Sequence, residues 1–399
     1  MNNIDIEENL NLKMRDFILE FCDKIGPRPP CSSNEKKAAQ LFYNKIKNYC
    51  DEIEIENFFA HPQAYKSAFR FPMILYILTI ILYWFLPLLS LALITLSCII
   101  LFGEMYLAKE IIDLIFPKKY SQNVISKIKA KNHTKHLLII GCHIDSNWEF
   151  PLIRKIKYGF VVIVGVNVFL NEILLIALII KNTLNMINLE TNLSAYELIL
   201  YWIFIAGIPF ALVQLFFIIS NLPVMGANDN LSGMAVCYEI AKNLSIPENK
   251  PKDIEIWINA YGCEEIGSKG SKFFVKEHIN EIKDAKVINL DMIGYRNSPL
   301  LLLKSEILGL IKMDKTIIKL VKKSALLNDI NIKLSSSMAY TDSLSFSRKG
   351  LSAVSISSKP QSSKEFFYHT RNDVIENLDF KNLVNAYKIC MNIIKQLDK

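Results

Sequence analysis

The eight cysteines form no Cys-x-x-Cys pair and follow no regular spacing. Their scatter argues against a disulfide framework and for reduced thiols in a cytosol-facing protein. A stripe of basic residues interleaved with aromatics is also lacking, so the net charge of +7 does not point to nucleic acid. It reads instead as charge flanking a membrane. The first twenty residues, MNNIDIEENLNLKMRDFILE, have neither the basic start nor the apolar core of a cleaved signal peptide. There is no internal repeat and no low-complexity tract. A chain of 399 residues is long enough for an enzyme domain with something added.

What is added is apolar. Hydrophobic residues make up 51% of the chain and are concentrated in a few blocks. Residues 71–103, from FPMILYILTIILYWF through LPLLSLALITLSCIILFG, contain no charged side chain. One helix of that length would run about 50 Å, against a hydrocarbon core of roughly 30 Å. With Pro87 near the middle, the block predicts two short helices folded as a hairpin. A second pair, 158–180 and 198–220, has 23 residues in each member and a polar loop, KNTLNMINLETNLSAYE, between them. The predicted organisation is a soluble domain in three parts (1–70, 108–157 and 221–399), interrupted by transmembrane hairpins at 71–107 and 158–220.

The soluble parts alternate in character. Helical periodicity covers 10–24 and 34–49, with the Pro-rich turn IGPRPPCSS between them, and 51–60 alternates as a strand. SQNVISKIKA, HLLIIGC, IEIWINAY, KVINL and SAVSISS read as strands; NDNLSGMAVCYEIAKNL, SKGSKFFVKEHIN and 380–397 read as helices. In four stretches an acid or imidazole stands where an apolar strand ends or the next helix begins: HLLIIGCHIDS, MGANDNLSG, NAYGCEEIGSKGS and KVINLDMIG. Sites in open α/β sheets form at the carboxyl ends of strands. Convergence there would gather His143, Asp145, Asp229, Glu264, Glu265 and Asp291, with Tyr368–His369 joining from a loop.

Adjacent carboxylates at a buried strand end repel each other and resist desolvation. A divalent cation reverses that penalty. Zinc accepts His, Asp and Glu ligands, and a two-ion site needs a bridging carboxylate, a His and an acid for each ion, and a spare carboxylate to take a proton from water. The chain offers all of these. Neighbours on an extended chain point apart, so Glu265 can bind metal while Glu264 acts as general base. Asp145, two residues past His143, suits the imidazole's other N–H.

The ordered set resembles the co-catalytic zinc exopeptidases of metallopeptidase family twenty-eight, the bacterial leucyl aminopeptidase and glutamate carboxypeptidase group. The resemblance rests on IGPRPPCSSNEKKAAQLFYNKI, HID, GANDNLSG, CEEIGSKGS, NLDMIG and YHTRNDVIENLD, and spans roughly 12–60, 121–150 and 224–397. It implies an α/β fold with a mixed central sheet flanked by helices, here carrying two inserted hairpins. It also implies two zinc ions: His143 and Asp291 on one, Glu265 and His369 on the other, Asp229 bridging. Glu264 would be the general base, Asp145 the partner of His143, and Tyr368 a stabiliser of the oxyanion. The implied activity is exopeptidase, of aminopeptidase type. Relatives with the same ligands that cyclise N-terminal glutamine on one zinc supply a rival reading, and a non-catalytic membrane scaffold a third. Three departures stand out. Ser343 follows Asp342 where many relatives carry a histidine, Arg371 stands where a small residue or proline is common, and Asp229 lies 86 residues after His143.

That separation contains the second hairpin. One site cannot be assembled from segments on opposite sides of a bilayer, so each insertion must cross an even number of times, giving four spans. Lys66, Arg70, Lys109, Arg154, Lys155 and Lys157 flank the domain side, against Lys181 with Glu190 and Glu197 on the far side. The positive-inside rule then places the catalytic domain in the cytosol. Nine residues separate Ser220 from Asp229, a reach of at most about 30 Å. The expected partners are the lipid bilayer and peptides released at or near it. Glu172 and Gln214, polar within the spans, are either functional groups or an interhelical lock.

Overall fold

β-Branched and apolar runs pair into one mixed sheet in this computed structural model, which describes residues 3–107, 109–187, 194–362 and 365–398. The strands are β1 (Glu52–Ala60), β2 (Lys119–Ile128), β3 (His136–His143), β4 (Ile254–Tyr261), β5 (Lys286–Leu290), β6 (Leu300–Glu306), β7 (Ile311–Lys312), β8 (Ile332–Ser336) and β9 (Ser352–Ser357). Their order is β1-β2-β4-β3-β5-β9-β6-β7, with β8 pairing β6. The centre, β4-β3-β5-β9, is parallel, so these strands end at one edge. β3, β4, β5 and β9 are buried along almost their whole length, as expected of strands covered on both faces.

Alternation along β3 sends Leu138, Ile140 and Cys142 into one apolar layer and Ile139 into the other. The first layer packs against helices Asn3–Lys24, Ser33–Ile46, Ser232–Leu244 and Phe380–Leu397 through Phe17, Phe42, Met234 and Ile389. The second packs against Lys269–His278 through Trp257, Tyr261 and Phe274. Ser32 caps its helix by accepting from the Glu35 amide at 3.1 Å, and Asp379 caps the last helix by accepting from Lys381 at 3.0 Å. Sequence periodicity left 298–350 unassigned. That stretch holds β6, β7, β8 and helix Lys315–Leu326, which is capped by Asp314.

The sheet and these helices form one unit, Met1–Ala60, Lys119–Glu149 and Leu222–Lys399. The other unit, His61–Lys118 and Phe150–Asn221, holds, among the described residues, four helices long and apolar enough to cross a membrane. It is wider than the apolar runs. Its first helix begins at Pro62 because the polar first turns belong to it: Lys66 Nζ donates to the Ser220 carbonyl at 3.2 Å and Arg70 to that of Ile219 at 2.9 Å. Pro87 opens the second helix rather than kinking a single one. The outer faces of this unit are themselves apolar and exposed, with Leu78, Phe169, Ile176 and Phe216 among them. Inside it, Gln214 Oε1 accepts from Asn167 at 2.8 Å, Gln214 Nε2 donates to the Phe69 carbonyl at 3.2 Å, and Ser97 donates to Asn171 at 2.6 Å. Gln214 is therefore part of an interhelical lock, whereas Glu172 faces outward. Glu190 lies outside the described residues.

Candidate metal centre

The three parallel strands β3, β4 and β5 deliver His143, the pair Glu264–Glu265 and Asp291 to the same sheet edge. Asp229 comes from the irregular turn before helix Ser232–Leu244, and its peptide to Asn230 is cis. Each carboxylate oxygen of Asp229 faces a different imidazole: Oδ1 lies 3.0 Å from His143 Nε2 and Oδ2 lies 3.3 Å from His369 Nε2. Asp291 Oδ1 stands 3.8 Å from His143 Nε2, and Glu265 Oε2 stands 2.8 Å from His369 Nε2. Two buried triads result, His143–Asp229–Asp291 and Asp229–Glu265–His369, with Asp229 common to both. Within each, the candidate donor atoms lie within 4.8 Å of one another.

The backbone there is unusual. Cys263, Met292 and His369, each a candidate ligand or close to one, have φ of 53°, 49° and 48°. Left-handed non-glycine residues of this kind cluster at functional sites. Gly226 (φ 64°) is a true glycine requirement, since a Cβ would lie 2.3 Å from the Asp229 carbonyl.

The electrostatics are those of a site short of positive charge. Burial raises Glu264 well above the carboxylate range, with Asp342, Asp291 and Glu265 adding and His143 opposing. Burial and the charge of Asp229 push Glu265 up to about 7, and burial raises Asp291. Burial opposes protonation of His143, yet its contacts with Asp145, Asp229 and Asp291 raise it well above normal. Burial also works to raise Asp229, but His143 and His369 hold it low. Among the described residues, Glu265 Oε1 and Asp291 Oδ1 are buried without a hydrogen-bond donor. Orphaned acceptors, crowded carboxylates and two imidazoles fit divalent cations of the zinc class.

Asp145 does more than stand beside the imidazole. His143 Nδ1 lies 3.1 Å from the Asp145 carbonyl and 3.5 Å from its carboxylate. The carboxylate accepts the main-chain amides of Glu264 at 3.0 Å and Glu265 at 3.1 Å. It thus orients both glutamates as well as standing near the imidazole. Tyr368 stacks on His369 with ring centroids 3.6 Å apart. Arg371 finds a reason: it makes a bidentate pair with buried Glu149, at 2.8 and 2.6 Å. Ser343 donates to Glu306 at 3.0 Å, and Thr341 does so at 2.7 Å.

Comparison with known proteins adds a family match and a likeness of fold. Residues 214–394 match the model of Peptidase family M28. The chain is 44% identical over 72 residues to aminopeptidase YwaD of Bacillus subtilis (strain 168), covering 17% of this chain and 15% of that protein. It spans less than half the length of the curated relatives it matches. Its fold resembles that of a zinc aminopeptidase from Bacillus subtilis (TM-score 0.58, 16% identity, 97% of this chain and 94% of that one). It also resembles that of an Acidobacteriales bacterium glutaminyl cyclase (TM-score 0.56, 12% identity, 97% and 94%). At these identities the structural neighbours show the fold alone.

Several supporting residues escaped the sequence reading. Inside the M28-matched segment, Asp373 accepts from the amides of Asn228 at 2.6 Å and Asp229 at 3.1 Å. Its position four residues after His369 was the available signal. Outside it, Asn147 Nδ2 donates to Glu265 Oε2 at 2.7 Å. Arg28, wholly buried, donates to the carbonyls of Ile144 (2.8 Å), Met225 (2.9 Å), Gly226 (3.0 Å) and Gly26 (3.1 Å). It ties the turn after His143 to the turn before Asp229. No local pattern marks an arginine in GPRPP for that task.

Proposed function

We propose that this protein is a membrane-anchored, zinc-dependent exopeptidase of aminopeptidase type, acting on peptides released at or near the bilayer. The observation that carries the reading is the division of Asp229: one oxygen toward His143, the other toward His369. His143 and Asp291 would hold one ion, Glu265 and His369 the other, with Asp229 between them. When bound, such a pair supplies Lewis acidity and lowers the pKa of water toward neutrality.

The remaining chemistry belongs to the chain. Glu264 takes the proton of the attacking water and returns it to the leaving amine. The Ser268 hydroxyl, 3.3 Å from Glu264 Oε1, steadies the carboxylate, and Asp145 fixes the glutamate backbone. Tyr368 stands beside His369, where its phenol can steady the substrate oxygen as charge develops.

Four helices with apolar outer faces support insertion of His61–Lys118 and Phe150–Asn221 as two membrane hairpins. Even crossings keep the peptidase segments on one side, and flanking lysines and arginines favour the cytosolic side.

The test is metal analysis of the detergent-purified protein with a panel of N-terminally varied peptides. The expected outcome is about two ions per chain, aminopeptidase turnover, and a fall by a factor on the order of 10² or more for Glu264→Gln with metal retained. One ion per chain with cyclisation of N-terminal glutamine would favour the cyclase reading instead. Full turnover in Glu264→Gln would remove Glu264 from its role.

A further inference from the structure

Directly behind the glutamate pair lies a feature the hydrolytic chemistry does not use. Cys31, in the turn IGPRPPCSS, and Cys263, immediately before Glu264, bring their sulfurs to 3.4 Å although 232 residues separate them. Both thiols are free; Cys31 is partly exposed and Cys263 is buried. Both residues sit in left-handed backbone, φ 58° and 53°, where glycine would cost least. Glu35 lies beneath the pair. It accepts from the Cys31 amide at 2.8 Å and the Cys263 amide at 2.9 Å, and the Cys263 thiol points at Glu35 Oε1 at 3.5 Å. The Ser121 hydroxyl, at 2.9 Å, completes the pocket. The two cysteines are thus held by a shared buried acid, in van der Waals contact, with one of the two residues partly exposed.

We propose that Cys31 and Cys263 form an oxidant-reactive modification site that takes a hydroperoxide and closes to a disulfide, slowing the hydrolysis at Glu264. The sulfur of the partly exposed Cys31 attacks the terminal oxygen of the hydroperoxide. The O–O bond breaks, an alcohol leaves carrying the Cys31 proton, and Cys31 becomes a sulfenic acid. Cys263 then attacks the Cys31 sulfur. Its proton passes by way of Glu35 to the departing hydroxyl, which leaves as water. The two thiols lose two electrons in all, and the hydroperoxide is reduced to alcohol and water. A small dithiol reverses the bond by exchange, becoming the disulfide itself.

The consequence follows from distance. A disulfide needs sulfurs about 2.05 Å apart, so closure from 3.4 Å draws the two residues together by more than about an ångström and puts Cys263 under tension. The next two amides, those of Glu264 and Glu265, are the ones anchored on Asp145. Misplacement of a catalytic group by that amount can cost on the order of 10²-fold in rate. This loss of rate rests on the function proposed above; the disulfide chemistry does not.

The experiment treats the detergent-purified full chain with tert-butyl hydroperoxide, counts alkylatable thiols, and searches digests by mass spectrometry for a peptide linking residues 31 and 263. Peptide hydrolysis is followed in parallel. The expected result is the loss of two thiols, the 31–263 link, and a fall in rate of about tenfold or more that dithiothreitol restores. Cys31→Ser should give no link and keep its rate under the same treatment. Absence of the link, or a link between other cysteines, overturns the proposal, and so does a linked protein with undiminished rate. If the reduced protein hydrolyses no peptide, the link alone decides the modification site, and the failure belongs to the peptidase reading.

Discussion

Asn147 shows how a neutral side chain can govern a charged site. Its amide donates to Glu265 Oε2 at 2.7 Å and stands 3.1 Å from His369 Nδ1, so it positions both expected ligands of one ion. Asn147→Ala should lower the affinity for that ion by about 10- to 100-fold while leaving the other less affected, read by competition with a chromophoric chelator. Arg28 acts at longer range. It is a wholly buried cation whose charge is met by four carbonyls, and Asp373, Asp145 and Asp229 add their fields. Arg28→Met would leave those carbonyls without a donor. A destabilisation on the order of 3 kcal/mol is expected, visible as a lowered denaturant midpoint of the purified protein.

At the scale of elements, β6 ends on an acid in an unfavourable place. Glu306 is fully buried, held by the hydroxyls of Thr341 and Ser343, and burial pushes it up to about 7 from an ordinary 4.5. Between those values the folded chain holds a proton that the unfolded chain has released. The protonated form therefore favours folding fully below about 4.5, and this contribution is lost as pH rises through about 7. Its size is about 3 kcal/mol. Thermal unfolding in detergent should show wild type losing stability from pH 5 to 8 more steeply than Glu306→Gln, with the variant ahead at the alkaline end. Equal slopes would show that Glu306 does not titrate there. The turn before helix Ser232–Leu244 is constrained sterically instead. Gly226→Ala would set a Cβ against the Asp229 carbonyl, and the expected outcome is loss of bound metal without loss of the sheet, read by metal analysis beside circular dichroism.

For the molecule as a whole, the prediction concerns the helical unit. With apolar residues both inside it and on its outer faces, extraction at alkaline pH should leave the chain in the membrane fraction. A version with His61–Lys118 and Phe150–Asn221 replaced by short Gly/Ser linkers should appear in the soluble fraction. Recovery of the intact chain in the alkaline supernatant would count against insertion. Each replaced segment is flanked in sequence on both sides by residues of the sheet-bearing unit.

Much of this was legible along the chain because it depends on local chemistry. The apolar blocks, the run of strands and helices, and the ligand types at strand ends all follow from residue order. The stretch 298–350 was not legible, because short edge strands such as β7 and β8 carry little periodic signal. Tertiary structure alone decided what depends on distance between remote residues. It set His143 against Asp229 across 86 positions, gave Arg28 its four carbonyls and Arg371 its glutamate, and brought Cys31 to Cys263. These contacts exist only once parallel strands bring their carboxyl ends to one edge, and no local pattern encodes which distant turn will arrive there.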